Sequence, residues 1–314
     1  MIITEKYLSG RCDEWNAFVA SSKNGTFLFN RNYMDYHSDR FVDHSLMFYD
    51  SKQRLVALLP ANIDGHTLYS HGGLTYGGLI CGDSLRTSMA IEIIEAMNGR
   101  LKQDGIKSVI YKPTPWIYHR QAAEEDLYAI FRLCDFNFIS REISTVVNLS
   151  HPLSMMEQRR RHSSKAGKLG VVIGWSERFT DFWSVLDSNL MNRYGVHPVH
   201  TLEEIQSLAS LFPDNIRLCI AQIEDETVAG VLLFITETTV HSQYISASPE
   251  GKKFGALDAI FSYLINYYSG SKAFFDFGKS TENMGHYLNE GLIFQKEGFG
   301  GRGVCYDTYE WNLK

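Results

Sequence analysis

The sequence predicts an α/β fold of two tandem domains, each a mixed, mostly antiparallel sheet flanked by helices. One order of elements occurs twice: three strand-like segments, a helical pattern and a further strand. Two generic α/β domains that share this order by chance are the alternative. The segments are 45–50, 54–63, 67–73, 88–105 and 108–113 in the first half, and 216–223, 227–236, 239–248, 256–270 and 273–277 in the second.

The composition is that of a well-packed globular protein. The 314 residues are 44% hydrophobic and 13% aromatic, which suffices for two cores and excludes disorder. The net charge is −6 and dense basic sequence is confined to residues 159–168, so broad nucleic-acid binding is disfavoured. A strand pattern ends near Ser150, before Pro152 and a new helical pattern, which predicts domains 1–150 and 151–314.

Signals for targeting and for metal binding are weak. No apolar run reaches the roughly 18 residues that span a bilayer, and MIITEKYL lacks the order of a signal peptide, so we expect a cytoplasmic protein. The five scattered cysteines include no CxxC and predict neither a disulfide framework nor a zinc site. His197 and His200 are separated by Pro198 without a further ligand, so we expect no metal.

The stretch from Phe274 to Tyr309 is the most informative part of the chain. The apolar run FFDF stops at Gly278 and the polar cluster KSTE follows, which places polar side chains at a sheet edge, where ligands bind in α/β folds. Lys296 then lies among glycines, whose backbone permits close approach of an anionic ligand. This order resembles the DFG…FKxxFG signature of FemAB-like and BioF2-like acyltransferases of the GNAT superfamily, with Gln295 in place of the Phe before the lysine.

A second segment carries the same resemblance. RRRHSSKAGKLGVVI is similar to the R-x-x-x-x-K-A-x-K-x-G-[VL]-x-[VI] opening of BioF2-like GNAT domains. The resemblance implies two tandem GNAT domains over nearly the whole chain. The basic helix in this segment either receives a phosphate-bearing substrate or is a solvated helix face, and the sequence leaves both interpretations open.

The resemblance also implies an acyl donor, acyl-CoA, held along a splay between two central strands. Its pyrophosphate would lie on backbone amides at the start of the following helix, within SASPEGKKFGALDAI. GNAT domains usually carry R/Q-x-x-G-x-G/A there, and this chain departs from that pattern. A glycine-containing loop that only starts a helix is the alternative. The candidate coenzyme-binding residues are Lys252, Lys253, Phe254, Gly255 and Ala256.

Acyl transfer to an amine needs a neutral amine, a donor to the developing oxyanion and a proton route to the leaving thiolate. Glu282 is the first candidate base and His241 the second, although each could be a structural hydrogen-bonding residue. Lys296 is a candidate to stabilise the oxyanion or a phosphate, with a surface lysine as the alternative. Asp276 is interpreted as an orienting carboxylate, since a buried unpaired charge is costly. Further residues expected at this cleft are Gln243, Ser280 and Thr281.

Candidate acceptor-binding residues occur in both halves. The glycine-rich YSHGGLTYGGLI lacks lysine and arginine, so we expect it to line an acceptor pocket and not to bind a second coenzyme, or to be a structural turn. KPTPWIYHR and MNRYGVHPVHT combine aromatic and cationic side chains suited to stacking a base and pairing a diphosphate. These segments supply His71, Tyr76, Lys112, Trp116, Tyr118, His119, Arg193, Tyr194 and His197.

The resemblance extends to GNAT-type sugar N-acyltransferases. It implies transfer from acyl-CoA to the primary amine of a nucleotide-linked amino sugar, for example a dTDP-linked amino-deoxyhexose, in bacterial surface-polysaccharide synthesis. FemAB-like enzymes instead add amino acids from aminoacyl-tRNA to cell-wall precursors and usually carry a long helical arm, which this sequence lacks. We therefore expect small-molecule partners and no nucleic acid. A non-catalytic tandem-GNAT binding module is the third hypothesis.

Overall fold

The computed structural model describes residues 1–314. Its strands are β1 (Ile3–Lys6), β2 (Val42–Asp43), β3 (Leu46–Tyr49), β4 (Leu55–Leu59), β5 (Asn62–Asp64), β6 (Thr67–Tyr69), β7 (Ile80–Cys81), β8 (Ser108–Tyr111), β9 (Phe136–Asn148), β10 (Val172–Ser176), β11 (Ile216–Ile223), β12 (Glu226–Ile235), β13 (Thr239–Ala247), β14 (Phe274–Lys279), β15 (Thr281–Glu282), β16 (Tyr287–Leu288) and β17 (Arg302–Asn312). Both predicted series of strands are therefore present.

The helices complete both predicted series. They are α1 (Cys12–Ser21), α2 (Arg31–Met34), α3 (Thr87–Gln103), α4 (Glu125–Leu133), α5 (Glu157–Lys168), α6 (Phe179–Tyr194), α7 (Leu202–Leu211), α8 (Pro249–Phe254), α9 (Ala256–Tyr268) and α10 (Glu290–Glu297). None of them is long and apolar enough to cross a membrane.

The chain forms two compact units. Unit 1 comprises residues 1–142, 283–287 and 305–314, and unit 2 comprises residues 143–282 and 288–304. This arrangement differs from the predicted division at Ser150, because the boundary falls inside β9 and the C-terminal residues return to unit 1. They return because the end of β17 pairs antiparallel with β8, with Tyr309 opposite Tyr111 and Asn312 opposite Ser108.

Unit 1 contains two sheets in place of the predicted single meander. One has the strand order β1-β3-β4-β7, and the other includes β2-β5-β6-β8, so that β4 and β5 belong to different sheets. The change occurs at Pro60, which has no N–H to donate to a ladder and therefore separates the two strands. The core side chains of this unit include Leu46, Leu59, Ile93, Met97 and Trp311.

Unit 2 is built on strands in the order β10-β11-β12-β13-β14-β9. Neighbouring strands are antiparallel except β13 and β14, which are parallel. Helices α6 and α9 both pack on β12 and β13. The apolar stripe of α9 includes Ile260 and Leu264, one turn apart, which are buried in the same core as Phe275. The predicted mixed, mostly antiparallel sheet flanked by helices is confirmed.

Candidate active site

Strands β13 and β14 separate at one point, and the candidate active site lies there. They pair in parallel over three residues each, and the last pair is His241 opposite Asp276. The register of β14 with β9 also shifts between Asp276 and Lys279. Gly278, within this shift, has a φ of 77°, which glycine adopts without strain. A gap between two central strands therefore opens beside His241 and Asp276.

A β-bulge in β13 lies next to this gap. Leu232 of β12 is opposite Tyr244, whereas Leu233 is opposite Ser242, so Gln243 is an extra residue in the ladder. The extra residue of a bulge is left unpaired and its backbone is turned out of the ladder. The backbone N–H of Gln243 can therefore serve a ligand in the gap.

Asp276 is the buried centre of the site, with no exposed surface. Its Oδ1 accepts hydrogen bonds from the Ser144 hydroxyl and from the backbone N–H of Gly278, the latter at 2.8 Å. Its Oδ2 lies 3.0 Å from Nδ1 of His241. Three donors thus surround the carboxylate and stabilise its ionised form. The predicted orienting role fits this geometry, although the carboxylate holds His241 and the strand backbone and not Lys296.

The imidazole of His241 is oriented by this carboxylate. Because the ionised Asp276 can only accept, Nδ1 carries the proton and Nε2 keeps its lone pair. The ring is 13% exposed, and Cε1 lies on the side of Gly278, where an added Cβ would come within 3.4 Å of it. A histidine held in one tautomer by a buried carboxylate has the arrangement of a general base.

Lys296 of α10 is buried and bonded to the strand that carries Asp276. Its Nζ donates to the backbone carbonyls of Gly278 and Lys279, both at 2.8 Å. Burial lowers its pKa from 10.5 to about 8, and the nearby charge of Asp276 partly opposes that change. The lysine therefore fixes the turn in β14 directly beyond Asp276.

The KSTE cluster is divided between buried and exposed positions. Glu282 is exposed, and its Oε1 accepts from the side-chain amide of Asn289 at 3.3 Å. The hydroxyl of Thr281 accepts from the backbone N–H of Ile143 at 3.3 Å. Ser280 is 1% exposed, and its hydroxyl has no hydrogen-bond partner. Of the two candidate bases, only His241 has a buried group that orients it.

The predicted donor segment forms a short helix followed by a longer one. The Ser248 hydroxyl caps α8 by accepting from the Gly251 N–H at 3.1 Å, and Gly255, with a φ of 73°, joins α8 to α9. Phe254 and Gly255 are half-buried and Ala256 is buried, whereas Lys252 and Lys253 are exposed.

The start of α9 has the features of a phosphate site. Its first intrahelical bond runs from the Ala259 N–H to the Gly255 carbonyl, so the N–H groups of residues 256–258 are open to an anion. Asp258 lies in the same turn, but Arg159 binds its carboxylate at 2.8 Å and compensates the charge. These residues therefore fit the diphosphate of a coenzyme.

The predicted acceptor residues of unit 2 lie at the exposed end of α6. The guanidinium of Arg193 is 5.1 Å from the ring centre of Tyr194, which is exposed. His197 is also exposed and contacts Asp187 at 2.6 Å. The structure contains no group of three His, Cys, Asp or Glu side chains placed to hold a metal ion.

The predicted acceptor residues of unit 1 are partly core residues. Tyr76 and Tyr118 are 3% and 2% exposed and pack against each other with ring centres 4.5 Å apart. His71 is also buried, with its ring stacked on His37, and burial lowers its pKa to about 3. These three positions differ from the prediction of substrate contact, because their rings fill the unit's own interior.

The other three residues predicted for the acceptor in unit 1 lie nearer the surface. Lys112 is half-buried and donates to the carbonyl of Leu74 at 2.7 Å. His119 contacts the carbonyl of Thr114 at 2.9 Å, and burial lowers its pKa. Trp116 is 51% exposed. Of the six, only the indole of Trp116 is available for stacking without rearrangement.

Two features of the site had no signal in the sequence. Ser144 reaches Asp276 from β9, 132 residues earlier in the chain, and no local pattern marks it. Tyr244 bonds Nδ1 of His200 through its hydroxyl at 2.7 Å and thereby ties the bulge in β13 to the segment after α6. Aromatic residues in a strand are common, so the alternation in TVHSQYISA could not identify this contact.

Comparisons with known proteins agree with this geometry. Residues 154–287 match the family described as Acetyltransferase (GNAT) domain. FemX has a similar structure, with a TM-score of 0.70, 11% identity and coverage of 99% of this chain and 97% of FemX. The C-terminal domain of a putative lysylphosphatidylglycerol synthetase from Agrobacterium fabrum gives a TM-score of 0.61 at 11% identity, covering 97% of this chain and 92% of that domain.

A third similar structure is the tandem GNAT protein from the clavulanic acid biosynthesis pathway. It has a TM-score of 0.51 at 10% identity, and the similarity covers 100% of this chain and 99% of that one. No curated protein sequence matches this chain. The fold and the strand gap define a GNAT-type acyltransferase. The protein belongs to the FemAB-like acyltransferases of the GNAT superfamily, as its C-terminal motif predicts.

Proposed function

We propose that the protein transfers an acyl group from acyl-CoA to the primary amine of a nucleotide-linked amino sugar. The observation that carries the chemistry is the His241–Asp276 pair at the end of the paired part of β13 and β14. It places an oriented imidazole in the gap where GNAT enzymes hold an acyl donor. Proton removal from the attacking amine is the step that such an imidazole can perform.

The residues of this chain have separate roles in the reaction. Coenzyme A, when bound, supplies the thioester carbonyl that is attacked and the thiol that leaves. As the nitrogen–carbon bond forms and the carbon–sulfur bond breaks, Nε2 of His241 accepts the amine proton and then gives it to the thiolate. Asp276 stabilises the protonated ring. The N–H of Gln243 donates to the carbonyl oxygen as negative charge develops there.

Lys296 acts in this proposal through the backbone of β14. Two of its N–H groups are committed to the carbonyls of Gly278 and Lys279, so its charge is not directed at a substrate. It holds the turn that places Asp276 behind His241. Lys296 is therefore a positioning residue, in place of the direct oxyanion or phosphate contact expected from the motif.

The open N–H groups at the start of α9 support a diphosphate-bearing donor. Lys252 and Lys253, in the last turn of α8, add positive charge beside them. Arg193 and Tyr194, exposed at the end of α6, provide a cation and an aromatic ring for a nucleotide-linked acceptor. The nucleotide-linked amino sugar, and the dTDP-linked amino-deoxyhexose as its first example, follow from this combination and from the family resemblance.

An aminoacyl-tRNA donor is the second candidate. It is favoured by the similarity to FemX, which covers 99% of this chain, and by the synthetase in the name of the A. fabrum protein. The exposed cations of α5 could contact an RNA backbone. A non-catalytic binding module is disfavoured by the oriented His241–Asp276 pair.

One mass-spectrometric experiment separates these functions. The protein is incubated with a panel of nucleotide-linked amino sugars and either several acyl-CoAs or charged tRNA, and the acylated product is identified. Product from acyl-CoA that is lost in His241→Gln supports the proposal. Product from charged tRNA alone transfers the same site to the second candidate. No product from either donor, in a protein that binds one of them, favours the binding module.

A further inference from the structure

Helix α5 concentrates positive charge in an acidic protein. The chain carries a net charge of −6, whereas the sequence of α5, EQRRRHSSKAGK, contains five cationic residues and one carboxylate. A helix of this composition has little intrinsic tendency to bury its surface. Its position in unit 2 is fixed instead by the contacts of one face.

The inward face of α5 packs on α8 and α9. Arg159 makes the buried ion pair with Asp258, at 2.8 Å, and Ala166 is fully buried. Nδ1 of His162 lies 3.7 Å from the same carboxylate. These contacts use the cation of Arg159 and leave the other four cations on the opposite side of the helix.

The outward face forms a concave surface of about 550 Å³, which we name the α5 basic surface. Glu157 binds Arg160 and, at 2.9 Å, Arg161. Lys165 and Lys168 are exposed and have no carboxylate partner. The surface is lined by Glu157, Arg160, Arg161, Ser164, Lys165 and Lys168.

We propose that the α5 basic surface is a binding site for a diphosphate or triphosphate group. Its lining has no apolar side chain, which excludes an occupant held by hydrophobic contact. The cations from Arg161 to Lys168 extend along two helical turns, about 10 Å, a length that suits two or three linked phosphates. Lysine ammonium groups and arginine forks are the usual partners of phosphate oxygens.

This site is separate from the start of α9. Arg159 and His162, on the inward face of α5, lie against Asp258 and Gly255 and so stand between the two places. The inference therefore does not depend on which acyl donor the protein uses. Its test measures binding without turnover, and its failure is distinguishable from failure of the proposed function.

Isothermal titration calorimetry with inorganic pyrophosphate and with ADP tests the site. The double variant Lys165→Gln/Lys168→Gln should weaken binding of both probes by about tenfold at low ionic strength, and added salt should reduce the difference. The matched control is Lys52→Gln/Lys102→Gln, which removes the same charge from exposed positions of unit 1 and should leave the affinity unchanged.

Three outcomes overturn the inference. Neither probe binds the unmodified protein, or both double variants weaken binding equally, which would mean that net charge alone attracts the anions. The third is binding of tRNA that depends on Lys165 and Lys168 while pyrophosphate and ADP do not bind, which would assign the surface to a nucleic acid. Circular dichroism of each variant confirms that the α5 substitutions leave the fold intact.

Discussion

The two units begin the same strand arrangement and finish it differently. In unit 1, β6 and β8 pair in parallel over three residues each, as β13 and β14 do in unit 2. Beyond the third pair, however, the Ser70 hydroxyl accepts from the Lys112 N–H at 2.7 Å, and the Gly77 N–H donates to the Lys112 carbonyl at 2.8 Å. The chain itself closes the gap in unit 1, whereas the gap in unit 2 is left open.

Each unit also buries a carboxylate near this point. In unit 1 Asp126 accepts from the Tyr111 hydroxyl, which in turn accepts from the Leu79 N–H at 2.6 Å. In unit 2 the corresponding partner of Asp276 is an imidazole that can exchange a proton. A phenol whose pKa is raised well above 10 by burial cannot act as a base near neutral pH. The comparison indicates that chemistry belongs to unit 2 alone.

Removal of the imidazole should break this contrast most strongly. His241→Gln is expected to lower turnover by about 100- to 10,000-fold, because general-base catalysis is lost. The loss should be larger at low pH than at high pH, where more of the amine is neutral without help. Steady-state rates across pH measure this. The control His66→Gln changes an exposed histidine of unit 1 and should be silent; near-normal turnover in His241→Gln would contradict the assignment.

Lys296→Met tests the positioning role through stability. The buried carbonyls of Gly278 and Lys279 would lose their donor, which should cost about 2 to 4 kcal/mol of unfolding free energy and reduce turnover as well. Urea denaturation measures the first effect. A variant of unchanged stability and unchanged turnover would remove Lys296 from the site.

The pH dependence of stability sharpens the same point. Because the pKa of Lys296 falls from 10.5 to about 8 in the folded protein, the unfolded chain binds more protons between these values. The free energy of unfolding should therefore rise with pH across that window, by about 3 kcal/mol in total. Lys296→Met should lack this rise. Parallel slopes in the two proteins would show that the lysine is not buried as described.

The carboxylate of unit 1 gives the opposite sign. Burial raises the pKa of Asp126 from 3.8 to about 6, so the folded protein keeps a proton that the unfolded chain releases, and stability is lost as pH rises through 6. Asp126→Asn should therefore add about 1 to 3 kcal/mol at pH 7 and little near pH 3.5, with turnover unchanged. Thermal melts at both pH values, with rate measurements, test this; a large loss of turnover would place chemistry in unit 1.

Glu282→Gln should have the smallest effect. The carboxylate is exposed and its only contact is a long hydrogen bond from Asn289, so turnover should change by less than about twofold, within the usual range for surface substitutions. Rates at low and high pH are compared with those of His241→Gln. A loss of more than tenfold that is greatest at low pH would make Glu282 the base and His241 a structural residue.

Local patterns in the sequence predicted much of this fold. Alternating strands such as residues 239–247 and the apolar stripe of α9 depend on nearest neighbours along the chain, and both lie where the periodicity indicates. Lys296 and Asp276 were found because they fall in a compact motif. The sheet break at Pro60 was missed because the flanking residues remain strand-like on both sides.

Long-range pairing explains what the sequence could not predict at the site. The bond from Ser144 to Asp276, the bulge at Gln243 and the divergence of β13 from β14 depend on which strands become neighbours. A bulge is set by the register of two ladders and leaves no residue-type signature here. The choice of His241 over Glu282 as base depends in turn on the carboxylate that lies behind it.

The return of β17 to unit 1 affects the order in which the protein can fold. Trp311, a core residue of that unit, donates to Asn98 at 3.2 Å, and its strand completes the pairing of β8. During synthesis unit 1 must therefore wait for its last strand until all of unit 2 has been made. A fragment cut at Ser150 would leave β8 with an open edge in one piece and an unpartnered Trp311 in the other, which are features that promote aggregation.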